Sequence, residues 1–481
     1  MANPVLAALS SAVAFSYGIL VMFYYWSLTV RSGIYFRKST AAFRSELATA
    51  RDRFWNLSKQ SNSLYHRFLT LHDGFKFHYV TNVAPDDSRG ATASKPLVIL
   101  IHGFPDSWGI WRKVLDSTAL RESCSLVAVD MPGYGGSDIL KKYSATEVLD
   151  KFTEFIVALR ERYGFDDPNN EKPREKVIIV AHDWGAVISN RLAAEAPQLA
   201  DRFILTNGPL IGLVTSNIKS HDSSAVKMLK IFLHSPLRSR SMLGKALYTL
   251  RPVLRQVLLS GYIFALQLPL PFIRIQGTSG DFAWLRMVHL LANGTVDDYT
   301  VKDATESMAT SLGPSAAECA TETFDHETYP KGIIKQQFSE KFINMVSYYR
   351  HGTSVGRWNK SIETITALHS LGGGDDLGRR SSRAGVFDDG PKGALRAKAT
   401  VVWALNDHAL DQRLNLDGIG DYLVHNSQVI SLPRSGHFTP IERESGVALQ
   451  KIVEWAVAGE KEDVNSVVQA VYPGASVTLR T

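Results

Sequence analysis

Four short stretches of the chain carry side chains whose types and order point to nucleophilic catalysis. They are His102-Gly103-Phe104-Pro105, His182-Asp183-Trp184-Gly185, Asn406-Asp407 and Ser435-Gly436-His437-Phe438. In this interpretation Asp183 is the nucleophile, Asp407 the orienting acid and His437 the general base. A carboxylate attacks amides poorly, but it displaces a leaving group at saturated carbon and forms an ester. His437 then activates the water that hydrolyses this ester, and Asp407 fixes the tautomer of the imidazole.

Hydrolysis of such an ester passes through a tetrahedral oxyanion, which needs hydrogen-bond donors. The backbone N–H groups of Phe104 and Trp184 are the candidate oxyanion hole, and donors of this kind typically contribute about 3 to 4 kcal/mol each. His102, Pro105 and Trp184 are the candidate substrate-binding residues. The scheme requires neither a metal ion nor an organic cofactor.

The stretch around Asp183 has the pattern of a sharp turn between a strand and a helix. Val177 to Val180 is a short, apolar, β-branched run typical of a strand buried in a parallel sheet. Helical spacing begins at Val187, and the small residues Ala181 and Gly185 flank the turn. This pattern predicts a nucleophile elbow, with Asp in place of the more usual Ser. For this stretch alone, a helix-capping Asp is the simpler alternative.

Apolar runs recur along the chain. Up to about residue 208 they alternate with helical patterns. The runs are 68–71 and 75–80 around the turn His72-Asp73-Gly74, then 97–101, 125–130, 177–180, 203–206, 399–405 and 428–432. The first two predict a hairpin, and the alternation predicts a doubly wound, mostly parallel sheet. Helices are expected near 111–118, from 144 to 160 behind a capping box of Ser144 and Glu147, and from 444 to 458.

The alternation stops between about residues 209 and 395, where helical runs lie around 228–233, 262–268, 282–291 and 338–349. One domain therefore interrupts another. Sites in open α/β sheets lie beyond the carboxyl ends of the strands, and each of the four chemical stretches follows a predicted strand. The order nucleophile, acid, His is that of the α/β-hydrolase fold. We therefore expect an α/β-hydrolase core with an inserted helical lid.

The N-terminal residues have the composition of a membrane anchor. Pro4 to Val30 holds no charged residue, and it exceeds the roughly 20 residues needed to span a bilayer. A cleaved signal peptide would begin with positive charge, but no Lys or Arg precedes this stretch. Basic residues follow it, so the positive-inside rule places the catalytic domain in the cytoplasm. We expect a single-pass membrane protein, located in the endoplasmic reticulum. A buried hydrophobic helix is the alternative. The basic residues are Arg31, Arg37, Lys38 and Arg44.

These patterns divide the chain into six segments. They are a transmembrane anchor at 1–31, an amphipathic connector at 32–60, a first part of the core at 61–208, the lid at 209–395 with a polar, flexible loop near 370–395, a second part of the core at 396–460 and a C-terminal tail at 461–481. In the connector, apolar residues recur at helical spacing with charges between them, which predicts a helix near the membrane surface. They are Phe43, Leu47, Ala50, Phe54 and Leu57.

Composition limits the classes of function. The 481 residues are 45% hydrophobic and 21% charged, which is ordinary for a globular protein. The net charge of +6 is modest, and no basic run is paired with aromatic stacking residues, so no nucleic-acid partner is expected. Cys124 and Cys319 lack the spacing of metal ligands. Nothing in the sequence indicates an oligomeric state. In a cytoplasmic domain the three sequons, at Asn56, Asn293 and Asn359, are chance matches.

Several motifs resemble those of the α/β-hydrolase epoxide hydrolases of the soluble and plant type. They are His102-Gly103-Phe104-Pro105, Asp130 to Ser137, His182-Asp183-Trp184-Gly185, Trp403 to Asp407 and Gly436-His437, within a match over about residues 65 to 460. The resemblance implies conversion of an epoxide to a vicinal diol through an ester of Asp183. It also implies two lid tyrosines that hydrogen-bond the epoxide oxygen and donate a proton. Tyr262 and Tyr349 have matching surroundings, with Tyr348 as a substitute for Tyr349.

Two other functions are compatible with these residues. Haloalkane dehalogenases share the Asp-Trp-Gly motif, but their halide-binding Asn is replaced here by Phe104, so Trp284 or Trp358 would have to supply the second donor. A membrane-anchored binding protein on the same fold is the alternative outside enzymes, although the complete set of nucleophile, acid and His argues against it. A Ser esterase is disfavoured because Asp183 occupies the elbow. An apolar lid and a membrane anchor together predict a lipophilic epoxide that enters from the bilayer.

Overall fold

The computed structural model describes residues 4–60, 63–84, 94–166, 175–292, 299–371 and 390–480, and these residues form one nine-stranded sheet with helices around it. Asn293 and most of the loop expected near 370–395 lie outside the described residues. The strands are β1 (Tyr65–Thr70), β2 (Lys76–Thr81), β3 (Leu97–Ile101), β4 (Ser125–Val129), β5 (Val177–His182), β6 (Arg202–Thr206), β7 (Ala399–Ala404), β8 (Ser427–Leu432) and β9 (Ser476–Arg480).

The sheet has the order β1-β2-β4-β3-β5-β6-β7-β8-β9. The six strands from β4 to β8 in this order are parallel, whereas β1, β2 and β9 pair antiparallel with their neighbours. The strand order reverses between β3 and β5, which is the position where such sheets open a crevice at their carboxyl edge. The expected hairpin and the doubly wound, mostly parallel sheet are confirmed.

The central strands are parallel because helices cover both of their faces. Every residue of β3, β4 and β5 is buried, as the continuous apolar runs predicted. Helices of the core are α3 (Arg112–Leu115), α4 (Thr118–Ser123), α5 (Ala145–Arg162), α6 (Trp184–Glu195), α16 (Gln412–Leu416), α17 (Arg443–Val457) and α18 (Val464–Val471).

One of the expected core helices is divided in the structure, and another begins where the sequence predicts. The helix expected near 111–118 is instead the two short helices α3 and α4. They separate at Ser117, whose hydroxyl caps α4 by accepting from the Leu120 amide at 3.2 Å. The helix expected from 144 is α5. The Ser144 hydroxyl accepts from the Glu147 amide, which is the Ser144 half of the predicted capping box.

The described residues between β6 and β7 contain helices and no strand, which confirms the helical insertion. Each of the four helical runs expected there lies within or across one of the observed helices. The helices are α7 (Ile211–His234), α8 (Arg240–Leu259), α9 (Gly261–Leu266), α10 (Leu270–Ala292), α11 (Val301–Leu312), α12 (Ala316–Cys319), α13 (Lys331–Lys335), α14 (Phe338–Arg350) and α15 (Ile362–Leu371). A kink divides α10 at residues 279–282.

Two helices precede the sheet, α1 (Pro4–Arg31) and α2 (Ala41–Trp55). In the described part of the chain, α1 is the one helix that is long and apolar enough to cross a membrane, and it is a candidate anchor by that criterion. The apolar face of α2 packs on the lid, because Phe54 and Trp55 are buried and the Trp55 indole donates to the Ala309 carbonyl at 2.9 Å. This face of the connector is therefore covered by protein.

The residues after position 460 contain two elements that the sequence analysis did not assign. They are α18 and β9, and β9 pairs with β8 from Ser427 opposite Arg480 to Ser431 opposite Ser476. Both elements lie within the segment named the C-terminal tail. The side chains of β9 are mostly exposed, so the strand lacks the apolar run that identifies a buried strand.

Candidate active site

Asp183 lies in the sharp turn between β5 and α6, with φ of 50° and ψ of −117°. Such a conformation is strained for a residue with a Cβ. Glycines allow the surrounding backbone to approach closely: a Cβ on Gly185 would lie 2.3 Å from the Ile101 carbonyl oxygen, and one on Gly103 would lie 2.3 Å from Oδ1 of Asp183. The turn has the geometry of a nucleophile elbow.

Asp183, His437 and Asp407 come together beyond the carboxyl ends of β5, β8 and β7. Nε2 of His437 lies 3.5 Å from Oδ2 of Asp183, and Nδ1 of His437 donates to Oδ2 of Asp407 at 2.8 Å. The side chains of Asp183 and His437 are each 12% exposed, whereas that of Asp407 is fully buried. One ring nitrogen of His437 is thus bound to Asp407, and the other faces the Asp183 carboxylate.

Asp407 is held by donors on both of its oxygens. The amides of Ala409 and Leu410 donate to Oδ1 at 2.6 and 3.0 Å, and the side-chain amide of Asn207 donates to Oδ2 at 2.7 Å. Asn207 in turn accepts from the Thr439 hydroxyl at 2.6 Å, which ties the end of β6 to the His437 loop. Burial alone would raise the pKa of Asp407, but His437 and these donors hold that pKa below its usual value.

His437 is the electrostatic centre of the site. Its burial disfavours the imidazolium, but the negative charges of Asp407 and Asp183 outweigh that effect and raise the pKa of His437 well above its usual value. Esterification of Asp183 would remove one of these two charges. The pKa of His437 would then fall, and the imidazole would become a better acceptor for a proton from water.

We expect the Asp183→Asn substitution to lower the pKa of His437, because it removes a carboxylate while keeping nearly the same volume. NMR titration of the His437 ring measures this, with the signal assigned by its loss in His437→Gln. Glu444→Gln is the matched control, since it removes a carboxylate at the rim of the cavity that makes an ion pair with Arg434. An unchanged pKa in Asp183→Asn would contradict the electrostatic account.

The candidate oxyanion-hole residues lie beside Asp183. The Phe104 amide donates to Oδ1 of Asp183 at 2.7 Å, so this donor already binds the oxygen that an ester would retain. Pro105 lines the cavity in front of Asp183. Trp184 contacts Tyr349 edge-on, with ring centroids 4.8 Å apart, and supports that tyrosine instead of lining the cavity itself.

His102 does not reach the cavity, which corrects its assignment as a substrate-binding residue. The ring is fully buried, Nδ1 donates to the Gly103 carbonyl at 2.9 Å, and Nε2 accepts from the Met131 amide at 2.9 Å. Both ring nitrogens are therefore used by the backbone. His102 stabilises the turn that carries Phe104.

The three candidate tyrosines have different surroundings. Tyr262 from α9 and Tyr349 from α14 line the cavity, and their rings meet edge-on at 5.8 Å. Tyr348 points the other way, since its hydroxyl donates to the Pro132 carbonyl at 2.9 Å. Burial, with the nearby charge of Asp183, raises the pKa of Tyr262, and burial with the neighbouring Tyr262 and Asp183 raises that of Tyr349. Both hydroxyls therefore stay protonated at neutral pH.

The cavity in front of Asp183 has a volume of about 570 Å³. It is mostly apolar, with wall residues from the core turn, from α9, α10 and α14, and from α1. The contribution of α1 was not expected from the sequence. Those α1 residues are Tyr25, Leu28 and Thr29.

Three polar residues at the site were missed by sequence reasoning. Asn207 donates to Asp407. Asp106, next to the oxyanion turn, accepts from the Thr310 hydroxyl at 2.8 Å, and its burial raises its pKa to about 6. Glu442 accepts from the Gly436 amide at 2.9 Å and so holds the loop before His437. The available signal was the same for all three: a polar residue within a few positions of a strand end or a catalytic motif.

Comparison with known proteins shows the fold of this chain. A family model described as the alpha/beta hydrolase fold matches residues 96–234. The chain has the α/β-hydrolase fold. Among solved structures, the Cif epoxide hydrolase from Acinetobacter nosocomialis aligns with this α/β-hydrolase-fold protein at a TM-score of 0.50, over 89% of this chain and 98% of that one, with 13% sequence identity. The expected fold class is confirmed.

Curated proteins that are similar in sequence to this chain include epoxide hydrolases. Epoxide hydrolase 1 from Caenorhabditis elegans is 31% identical over 171 residues, and epoxide hydrolase 3 from Mus musculus is 29% identical over 179 residues. The matched segments cover 36% and 35% of this chain. The chain spans only 37% and 42% of the length of these two relatives.

Proposed function

We propose that the protein is an epoxide hydrolase that converts a lipophilic epoxide to a vicinal diol through a covalent ester of Asp183. The observation that carries this proposal is the juxtaposition of groups around one apolar cavity. The Asp183 carboxylate faces the cavity and contacts the His437–Asp407 pair, and Tyr262 and Tyr349 line the same cavity. The relatedness to epoxide hydrolases supports it independently.

In the first step, Oδ2 of Asp183 attacks a ring carbon of the epoxide. The carbon–oxygen bond of the ring breaks, and the oxygen that leaves takes a proton from Tyr262 or Tyr349. An alkoxide is a poor leaving group, so this proton transfer lowers the barrier. The product is a hydroxyalkyl ester of Asp183 and one tyrosinate, which is neutralised in the second step.

In the second step, His437 removes a proton from water, and the hydroxide attacks the carbonyl carbon of the ester. The amides of Phe104 and Trp184 stabilise the oxyanion. Collapse of this intermediate expels the diol oxygen, which acquires a proton as it leaves, and restores the Asp183 carboxylate. The remaining proton returns to the tyrosine, so one water is consumed for each epoxide.

A dehalogenase is the second candidate, because Trp284 lines the cavity and contacts Phe104 with ring centroids 5.9 Å apart. The other lid tryptophan considered for this role is engaged elsewhere, since the Trp358 indole donates to Asp150 at 2.7 Å. The two cavity tyrosines favour the epoxide, because a halide leaving group does not require a proton.

The wall formed by α1 supports a lipophilic substrate. We propose that α1 spans the endoplasmic reticulum membrane. The basic residues after α1 favour an orientation with the catalytic domain in the cytoplasm. Tyr25, Leu28 and Thr29 line the cavity, so in this arrangement the active site borders the membrane helix itself. A substrate dissolved in the bilayer then has a short path to Asp183.

A single turnover in oxygen-18 water tests the proposal. Excess enzyme is mixed with a styrene-oxide-like epoxide, and both the diol and the peptide that contains Asp183 are analysed by mass spectrometry. We expect the label in the peptide and not in the first-turnover diol, because water attacks the carbonyl carbon of the ester. Label found directly in the diol would contradict the ester. No diol, with halide released from a chloroalkane in parallel, would favour the dehalogenase.

A further inference from the structure

We propose that the helical hairpin of the lid, α7 and α8, is a second membrane-binding element that contacts an anionic bilayer. We call residues 211–259 the lid hairpin. The inference deepens the proposed function, and it rests on the proposed membrane anchoring of α1. Four observations carry it: the exposure of the hairpin, an apolar stripe on α8, the charge of the hairpin and its continuity with α1.

The lid hairpin projects from the body of the protein. Its two helices pack mainly on each other, and few of their side chains are buried: Leu213 and Ala225 on α7, and Ala246 and Pro252 on α8. The exposed residues include large apolar side chains at the tip, where Leu233 is 72% and Leu237 is 79% exposed. A soluble protein rarely leaves so much apolar surface on one element uncovered.

The exposed leucines of α8 form one stripe. Their spacing of four, seven and four residues places them on a single face of a helix. The opposite face is held to the core by Gln256, which donates to the Ala409 carbonyl at 3.0 Å and accepts from the Asp411 amide at 2.7 Å. The stripe therefore points away from the protein. Its members are Leu243, Leu247, Leu254 and Leu258, with exposures of 36%, 55%, 54% and 71%.

The charge of the lid hairpin identifies the kind of surface that it fits. The segment holds eight Lys and Arg against the single acidic residue Asp222, a net charge of +7, while the whole chain carries only +6. Arg255 pairs with Asp411, and the other seven cations make no ion pair with a described carboxylate. Arg240 and Arg251 lie next to the leucine stripe by helical spacing. An apolar stripe bordered by cations is the pattern of a helix that binds anionic lipid.

The hairpin is also continuous with the candidate membrane helix. The Tyr17 hydroxyl of α1 donates to the Val257 carbonyl at the end of α8 at 3.0 Å. At the next residue, α1 packs closely on α9, because a Cβ on Gly18 would lie only 2.5 Å from the Phe264 carbonyl oxygen. If α1 spans the bilayer, the carboxyl end of α8 is therefore held at the membrane. The leucine stripe then extends the membrane contact along the lid.

The experiment uses the full-length chain in lipid nanodiscs, with a polarity-sensitive NBD label at Leu247→Cys. Both native cysteines are buried, which favours selective labelling. The nanodiscs contain phosphatidylcholine alone or with phosphatidylserine, and a nitroxide-bearing lipid serves as quencher. Ser466→Cys is the matched control, since it is an exposed small residue on α18, which packs on the core helix α17.

We expect the label at position 247 to shift its emission to shorter wavelength and to be quenched by the nitroxide lipid, more strongly with phosphatidylserine. The label at position 466 should show neither effect. Equal behaviour at both positions would overturn the inference, and so would a blue shift without quenching, which would mean that a second copy of the chain covers the stripe. Replacing Arg240 and Arg251 with Gln should remove the preference for phosphatidylserine, and a preference that persists would overturn the role of charge.

Turnover of a water-soluble epoxide by the same labelled proteins separates this inference from the proposed function. Unchanged turnover shows that the substitutions leave the fold intact. If no epoxide is hydrolysed but quenching at position 247 is observed, the proposed activity fails and the membrane contact of the lid stands. If turnover is normal and quenching is absent, the membrane contact fails alone.

Discussion

Replacing His437 with Gln is expected to stop the reaction after one round and leave the substrate attached to Asp183. The nucleophile and the two cavity tyrosines are untouched by this substitution, so ring opening still proceeds. Gln cannot accept a proton from water, so hydrolysis of the ester loses its general base. Because general-base catalysis contributes about 10²- to 10⁴-fold, steady-state turnover should fall by a factor of that order.

Intact-protein mass spectrometry checks this prediction directly. His437→Gln mixed with excess epoxide should gain the mass of one epoxide per chain, and the added mass should map to the peptide that contains Asp183. Asp183→Ala is the control and should gain no mass. An unmodified His437→Gln protein that is also inactive would mean that His437 acts in the first step, contrary to the two-step scheme.

The core was predictable because each of its determinants is local in the sequence. Buried parallel strands must be continuously apolar, and this is how β3, β4 and β5 were located. Asp183, Asp407 and His437 follow strands, so the fold rule for carboxyl edges brings them to one side of the sheet. The structure adds the distances, of 3.5 Å and 2.8 Å, that link the three side chains.

Other features depend on contacts between distant segments, which the sequence pattern does not encode. Asn207 lies 200 positions before Asp407. Its position after a strand does not show which distant residue it binds. The apolar sequence of a helix such as α1 is the same whether its residues face lipid or line a cavity. The positions of Tyr25, Leu28 and Thr29 in the cavity wall could therefore not be predicted from the sequence. The prediction that His102 binds substrate was wrong because its motif lies beside the site, whereas both of its ring nitrogens bind backbone groups.

Tyr262 and Tyr349 provide the second large effect that we expect. Both hydroxyls are held protonated by burial and line the cavity in front of Asp183. Replacing either with Phe should slow formation of the ester by on the order of 10-fold, because the other can still donate. Replacing both should slow it by about 10²- to 10⁴-fold, which is the full contribution of general-acid catalysis.

Tyr348→Phe is the matched control for this pair, because Tyr348 is adjacent in sequence but donates to the Pro132 carbonyl at 2.9 Å. Loss of the Tyr348 hydroxyl should leave the rate of ester formation nearly unchanged while lowering the free energy of unfolding by about 1 kcal/mol, the usual contribution of one such hydrogen bond.

Stopped-flow measurement of ester formation under single-turnover conditions separates the two steps. If Tyr348→Phe slowed ring opening as strongly as Tyr349→Phe, the orientation of these two side chains would not explain which one donates. A further outcome is that the variant with both Tyr262→Phe and Tyr349→Phe loses activity on epoxides while keeping activity on chloroalkanes. That result would show that the two tyrosines serve to protonate the alkoxide.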